Sequence, residues 1–222
     1  MNNFSSYKIN SNLFENFFNL SPEYYLPEYQ ALIEKIKSKN FIKLNKICKI
    51  TDGEHGSPDY DINSKCNYLT AGNIEKNRLI NLTKLQKISE KQNEKNKRSK
   101  LNINDLVVYT VGAYAGNVAV VEKDCLPANI PRSVAVLKFK NSNFISPGAL
   151  SLFLNSKFGY FQTFRLRSGN AQPTLMIEKL KQIIIPKLQD KINEELNFLY
   201  FDVIKLRSDA GKLINESISI LS

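Results

Sequence analysis

The 222-residue chain is poor in the side chains from which metal sites and disulfide frameworks are built. It contains one histidine, His55, and three widely spaced cysteines, Cys48, Cys66 and Cys125. A structural zinc site needs about four ligands and a disulfide framework needs pairs, so this composition argues against both. We expect the three cysteines to be small core residues.

Long apolar segments are also missing. No run approaches the roughly 18 residues that span a bilayer, and Met1–Ser6 show no basic segment leading into an apolar one. With 42% hydrophobic and 23% charged residues, the composition is typical of a globular protein. We therefore expect a cytoplasmic protein without membrane contact, folded as one domain with an appendage or as two small domains.

Motifs of the common catalytic classes are absent or incomplete. The chain has no phosphate-binding loop of the Gly-x-x-x-x-Gly-Lys-Ser/Thr type, and Pro58-Asp59 lacks the following Asp/Glu-x-Lys of a metal-dependent nuclease. Ser21-Pro22-Glu23-Tyr24 resembles a methyltransferase motif, but Glu23 replaces a proline and the segment is typical of a helix start. His55 could act in acid-base chemistry or bond to backbone or phosphate. We predict no catalytic and no metal-binding residue.

The excess of positive charge lies on the first 186 residues of the chain. The net charge is +10, from 31 basic and 21 acidic residues, whereas Lys187–Ser222 holds five basic and six acidic residues. The excess therefore lies on the first 186 residues and suits a polyanionic partner. Within it, Lys87–Lys100 has six basic and two acidic residues, which indicates either a solvated face or a phosphate-binding surface.

Local patterns predict strands interleaved with helices. Pro27 begins a helix whose apolar residues Tyr29, Leu32, Ile33 and Ile36 share one face. The segment "KLNKICKIT" alternates as an extended strand and stops at the turn Asp52-Gly53.

Asn104–Glu122 contains two β-branched runs around Gly112–Gly116, which predicts a hairpin. A further strand, "SVAVLKF", precedes a helix capped by Ser146. The run Ile183-Ile184-Ile185 predicts a strand stopped by Pro186, and the whole indicates an α+β domain that ends near Pro186.

A seven-residue apolar repeat follows. Its two sets of positions are Ile192, Leu199, Leu206, Leu213 and Ile220 at d, and Leu196, Val203 and Ala210 at a, with Ser217 as a weak last a position. The spacing predicts a helix of roughly 50 Å. Such a helix either packs along its own domain or pairs with another helix in a coiled coil.

Six segments in a fixed order resemble a known family. They are "DGEHGSPDY", "YLTAGNI", "LNINDLVVYTVGAYAGNVAVV", "ANIPRSVAVL", "SGNAQPTL" and "IIIP" followed by "LQDKI". Together they resemble one target-recognition domain and its conserved helix from the specificity (S) subunit of type I restriction-modification enzymes, and the related domains of type IIG and IIB enzymes. The resemblance covers roughly residues 40 to 222, and Gln189 and Ile192 match the family's Gln-x-x-Ile at the helix start.

The resemblance implies an α+β target-recognition domain, residues 1–186, with a mixed twisted sheet and flanking helices. A long C-terminal coiled-coil helix for spacing and dimerisation, residues 187–222, follows it. It also implies that Gly53, Gly72, Gly112 and Gly116 serve turns and close backbone approach, and that Asn104-Asp105 begins the hairpin. A complete S subunit has two such domains and two helices, so this chain resembles a half subunit that pairs with an identical chain or a second S half.

The implied function is recognition of a bipartite site in double-stranded DNA, without catalysis by this chain. The family's partners are methyltransferase (M) and restriction (R) subunits, with S-adenosylmethionine, ATP and Mg²⁺ on those partners. A helix of roughly 50 Å corresponds to about 15 base pairs between two half-sites. In the family the two helices run antiparallel. In this chain, full antiparallel overlap would set the acidic g positions of one helix against those of the other, whereas Asp202 and Arg207 would pair in a parallel register.

We expect polar or basic side chains on the predicted loops to contact DNA. Those assigned to bases are His55, Ser57, Tyr60, Tyr114, Asn117, Arg132, Arg165, Arg167, Asn170 and Gln172. Those assigned to phosphates are Lys95, Lys97, Arg98 and Lys100. Two other hypotheses stay open: a non-catalytic nucleic-acid-binding interaction protein with an oligomerising helix, and a small nuclease or methyltransferase with unfamiliar motifs.

Overall fold

The computed structural model describes residues 22–75, 79–140, 143–169 and 171–221. Its largest sheet has four antiparallel strands in the order β2-β8-β5-β6. These strands are β2 (Cys48–Asp52), β5 (Leu106–Tyr109), β6 (Val118–Val120) and β8 (Val134–Phe139). Two small sheets pair β1 (Phe41–Lys43) with β9 (Ile184–Pro186), and β3 (Cys66–Tyr68) with β4 (Gln86–Ile88) and, in parallel, β7 (Ala128–Asn129).

Seven α-helices accompany these sheets in the described residues. They are α1 (Pro27–Lys37), α2 (Leu44–Ile47), α3 (Glu90–Lys95), α4 (Pro147–Asn155), α5 (Lys157–Leu166), α6 (Ile177–Leu180) and α7 (Asp190–Leu221). The predicted α+β class with a long C-terminal helix is confirmed. Among the described residues, no helix has the length and apolarity needed to cross a membrane.

Both faces of the four-stranded sheet are buried. Val108 and Leu137 lie in an apolar cluster with α4 and α7, while Val107 and Val136 lie in a second cluster beside the three-stranded sheet. A sheet covered on both faces needs apolar residues at every position, which explains why these strands appear in the sequence as continuous β-branched runs. The predicted hairpin of β5 and β6 is confirmed, and the three cysteines are buried and unpaired as predicted.

The single extended strand predicted for "KLNKICKIT" is wrong. The helical turn α2 separates β1 from β2. Leu44, Ile47 and Ile50 are three residues apart and all buried, so one helical turn brings the first two onto the core and the strand then buries the third. Burial at a spacing of three therefore overrides the alternation.

The helix predicted from Ser146 is two helices. At Ser156 the backbone is extended, with ψ of 169°, and Gly159 packs so closely that a Cβ there would lie 2.3 Å from the carbonyl oxygen of Leu154. Ser146 stands at the N-cap position of α4, but its side chain makes no capping bond; its hydroxyl instead lies 3.0 Å from Asn193 Oδ1 of α7. The cap was predicted in the right place with the wrong partner.

The structure gives a reason for glycine at three of the four predicted positions. Gly112 and Gly116 have φ of +116° and +99°, which side chains rarely adopt. A Cβ on Gly53 would lie 1.7 Å from the carbonyl oxygen of Ile130. On Gly72, by contrast, it would be 3.7 Å from its nearest described neighbour, Thr70 Oγ1, so close approach does not require glycine there.

Candidate nucleic-acid interface

One end of the four-stranded sheet gathers most of the predicted contact loops. The end of β2, at Asp52, is paired with Ala135 near the start of β8, and Ala135 also pairs with Val108 of β5. The loops that follow β2 and β5 and the segment that precedes β8 must therefore lie side by side. We call this end of the sheet, with residues 52–60, 95–100, 110–117, 130–133, 168–169 and 171–175, the loop edge.

Asp52 connects two candidates that are distant in sequence. His55 Nε2 lies 2.8 Å from Asp52 Oδ2, and an Arg98 guanidinium nitrogen lies 3.1 Å from Oδ1. The His55 and Arg98 side chains are still 58% and 57% exposed. Asp52 thus orients a histidine and an arginine toward solvent at the loop edge, a role that the sequence analysis missed.

Glu54 fixes the path of the same loop. Its carboxylate accepts bonds from the backbone N–H of Gly56 at 2.8 Å and of His55 at 3.0 Å. The bond from Gly56, followed by one from the Asn96 side chain, lowers the pKa of this carboxyl. The Glu54 carbonyl accepts from the Arg132 N–H at 2.8 Å, which places exposed Arg132 beside His55.

The basic segment Lys87–Lys100 is anchored, so it is more than a freely solvated face. Asn129 is fully buried; its amide nitrogen donates to Asn93 Oδ1 at 3.0 Å and to the Asn96 carbonyl at 3.1 Å. Its oxygen accepts from the Ser99 hydroxyl at 2.7 Å. This network holds α3 and the following 3-10 turn against β7 and thereby positions Arg98.

The hairpin tip lies against the loop that follows α5. The Gly112 N–H donates to the Pro173 carbonyl at 2.7 Å, and the Leu175 N–H donates to the Thr110 carbonyl at 2.8 Å. Tyr114 and Gln172 are exposed on these two loops. Two basic candidates, Lys95 and Lys97, and two base candidates, Ser57 and Tyr60, are exposed elsewhere on the loop edge.

Four candidates are less accessible or fall outside the description. Asn117 is buried, with 7% exposure, and Asn170 lies outside the described residues. Arg165 stacks on Tyr24 at 3.9 Å from the ring centroid, and Arg167 lies 5.3 Å from the Phe164 centroid. Burial lowers the pKa of the Arg167 guanidinium. The two arginines are thus packed against aromatic rings, which makes them poor candidates for contact with DNA.

Lys100 is engaged within the domain. Its ammonium pairs with Glu94, and its carbonyl accepts a bond from the Lys138 ammonium. Within the described ranges, no group of three or more histidine, cysteine, aspartate or glutamate side chains is placed to hold a metal ion.

The first half of α7 packs at the opposite end of the sheet. The Tyr200 hydroxyl accepts from the Val120 N–H at 3.0 Å, the Asn197 side-chain oxygen accepts from the Gly148 N–H at 2.9 Å, and Asn193 accepts from the Ser146 N–H at 2.9 Å. Arg207 pairs with Glu122. These residues form one helical face, which we call the docking face; the sequence analysis missed it.

The predicted heptad seam is mostly a different face of α7. It is exposed at Ile192, Leu199, Val203, Leu206, Ala210, Leu213 and Ile220. Leu196 is the exception, because it packs partly on the domain core. One face therefore packs on its own domain, as in the first alternative, and the seam is exposed; pairing with another helix stays a prediction.

The comparisons with known proteins agree with this architecture. No family model matches the chain. The type I restriction enzyme EcoBI specificity subunit of Escherichia coli is 30% identical over 150 residues, which make up 67% of this chain and 25% of that protein. The chain thus spans about a quarter of the length of this relative.

Two solved structures share the fold. The type IIG restriction endonuclease BpuSI aligns with a TM-score of 0.58 and 10% identity, over 80% of this chain and 28% of that one. The HsdS subunit from Thermoanaerobacter tengcongensis aligns with a TM-score of 0.51 and 16% identity, over 82% and 44%. The resemblance seen in the sequence is thereby confirmed, and the chain is a homologue of the specificity subunits of type I restriction enzymes.

Proposed function

We propose that this chain is a non-catalytic DNA-recognition subunit of a type I restriction-modification system. The observation that supports this most is the loop edge, where exposed His55 and Arg98 share Asp52 and the backbone of exposed Arg132 is bonded to Glu54. Convergence of polar and basic side chains on one edge is what reading a duplex requires. The homologous EcoBI specificity subunit supports the same role.

Within this proposal, phosphate contacts set the position of the domain and groove contacts supply specificity. Arg98, Lys95 and Lys97 bind phosphates, because guanidinium and ammonium groups neutralise backbone charge. The side chains that read bases are His55, Ser57, Tyr60, Tyr114, Arg132 and Gln172. Asp52 keeps His55 and Arg98 in fixed positions before DNA arrives, which reduces the entropy lost on binding.

We further propose that two copies, or this chain and a second S half, pair through α7 to read a bipartite site. The pairing surface is the seam, which is exposed at Leu199, Leu206 and Leu213. An exposed apolar seam of this length suits a second helix that covers it. Because Arg207 is engaged by Glu122, the charge argument for a parallel pair is weakened, and we favour antiparallel helices with partial overlap.

Catalysis in this proposal belongs to partner chains. The M subunits would bind S-adenosylmethionine and transfer the methyl group, and the R subunits would use ATP and Mg²⁺. This chain supplies the DNA sequence at which they act, and the separation of the two loop edges sets the spacing between the half-sites.

Mapping of methylated adenine tests the proposal. The chain is co-expressed with its cognate M subunit, and the genome is compared with that of cells carrying M alone. A palindromic bipartite site is the expected result for identical copies, and an asymmetric site would assign a second S half. A well-folded complex that adds no methylation would overturn the recognition role and favour the interaction-protein hypothesis.

A further inference from the structure

A second basic surface follows the edge strand of the large sheet, outside the loop edge. It begins in "KLNKICKIT", where Lys43, Lys46 and Lys49 are three residues apart. The helical turn α2 buries Leu44 and Ile47. As a result, Lys43 and Lys46, which have the same spacing, lie together on the solvent side and are exposed.

Lys49 continues this surface along β2. It is exposed and stands directly opposite Lys138 of β8 in the antiparallel register. Like charges facing each other across two strands repel, yet only one of the two is compensated: Lys138 lies 3.2 Å from Asp105. Lys140 adds a fourth cation to this surface. Its ammonium donates to the Asn45 carbonyl at 2.7 Å, which holds it against the segment that carries Lys43 and Lys46.

Four other lysines of the chain are paired internally with carboxylates, whereas these four are not in the part of the chain that the structure describes. Lys37, Lys181, Lys187 and Lys212 each have a carboxylate three residues away within 4 Å. Among the described residues, no carboxylate pairs with Lys43, Lys46, Lys49 or Lys140. Their charge is therefore left for an external anion.

The four lysines form one path with the loop edge. β2 (Cys48–Asp52) contains Lys49 and ends at Asp52, which holds Arg98. At about 3.4 Å per residue the strand spans roughly 15 Å, and a duplex strand presents one phosphate for about every 3.4 Å of its axis. A DNA backbone that leaves the loop edge and follows β2 would meet several of these lysines in succession.

We propose that Lys43, Lys46, Lys49 and Lys140 form a phosphate track that binds the DNA backbone beside the bases read at the loop edge. This inference rests on the proposed DNA-binding function. The track contributes affinity and orientation without sequence preference, because ammonium groups on phosphates carry no base information. It extends the DNA contact along the whole edge strand.

The test uses the full chain and a random-sequence duplex of about 40 base pairs, on which binding is dominated by phosphate contacts. The variant K43Q/K46Q/K49Q removes three charges and keeps most of each side-chain stem. The matched control, K123Q/K191Q/K205Q, removes three exposed lysines from the opposite edge of the sheet, after β6, and from α7. Circular dichroism verifies that both variants are folded.

For the parent chain, the logarithm of the binding constant should fall linearly with the logarithm of the salt concentration. In the track variant this slope should become shallower by about 2 to 3, since each phosphate contact contributes about 0.9. The control should keep the parent slope. If the parent binds and the track variant retains its slope, the track is disproved while DNA binding stands. If the folded parent shows no salt-dependent binding, the proposed function itself fails.

Discussion

Arg207 of α7 forms an ion pair with Glu122, which follows β6, and it donates a second bond to the Ile80 carbonyl at 2.9 Å. The Glu122 side chain is 9% exposed. Burial raises the pKa of its carboxyl, and the Arg207 guanidinium opposes that rise. One arginine therefore neutralises a buried acid and fixes the middle of the long helix to the domain.

Replacement of Arg207 should loosen this attachment in a pH-dependent way. R207A leaves the Glu122 carboxylate buried without its partner, so the free energy of unfolding at pH 8 should fall by about 2 to 4 kcal/mol. Removal of the guanidinium also raises the pKa of Glu122 further. The loss should therefore shrink as the pH falls through that raised pKa, because the protonated acid carries no buried charge.

Urea denaturation at several pH values measures this effect. The double variant R207A/E122Q is the control, since it has no charge at position 122 and should show a smaller deficit that does not vary with pH between 5 and 8. An R207A deficit that stays constant across the same range would contradict the assignment.

Asn129 should support both stability and DNA binding. N129A removes the acceptor for Ser99 and the donor to Asn93, and it leaves buried polar groups unsatisfied. We expect a loss of about 2 to 4 kcal/mol in unfolding free energy. Because this network positions Arg98, faster amide hydrogen exchange over residues 90–100 should accompany the loss. As a comparison, the exposed Asn102 should tolerate the same change with little effect.

Gly53 and Gly72 should respond differently to the same substitution. G53A brings a Cβ against the Ile130 carbonyl, so the loop after β2 must shift and the unfolding free energy should fall by at least about 2 kcal/mol. G72A meets no close described neighbour, and its effect should be within about 0.5 kcal/mol. Thermal denaturation of the two variants in parallel checks the contrast; equal effects would refute it.

Arg98 and His55 should be separable in DNA binding. R98A should weaken binding to all sequences and lower the salt slope by about 1, because it removes a phosphate contact. H55A should instead relax discrimination at one base position of the methylated site. Both are measured on a set of duplexes that differ by single base pairs, and a changed recognition sequence in R98A would contradict its assignment to phosphate.

The exposed seam of α7 should control self-association without affecting the fold. Leu206 and Leu213 are 61% and 63% exposed, so L206E/L213E should change the unfolding free energy of the monomer little. The same variant should abolish pairing, because it places charges on an apolar seam. Sedimentation velocity measures the outcome, with S208E as an off-seam control; a seam variant that still pairs would place the interface elsewhere.

The main elements of this fold were predictable because their signals are local. The hairpin of β5 and β6 follows from two β-branched runs around glycines, and α7 follows from a seven-residue repeat. Where two periodicities competed, as in "KLNKICKIT", local alternation gave the wrong answer because burial of Leu44 and Ile47 on the core decided the backbone. The gathering of His55, Arg98 and Arg132 was not predictable, since Asp52 and Glu54 connect segments tens of residues apart.

The sequence by itself determined the β5–β6 hairpin, the long helix α7, the basic character of the domain, the buried cysteines and the family resemblance, because composition, spacing and turn residues are properties of neighbouring positions. Tertiary structure alone decided which polar candidates are accessible: Asn117 is buried, whereas Arg98 is held at the surface by Asp52. It also decided that α7 uses one face for its own domain and leaves the seam free. Such outcomes depend on which distant groups satisfy each other's charge and hydrogen bonds, and the order of residues does not specify those partners directly.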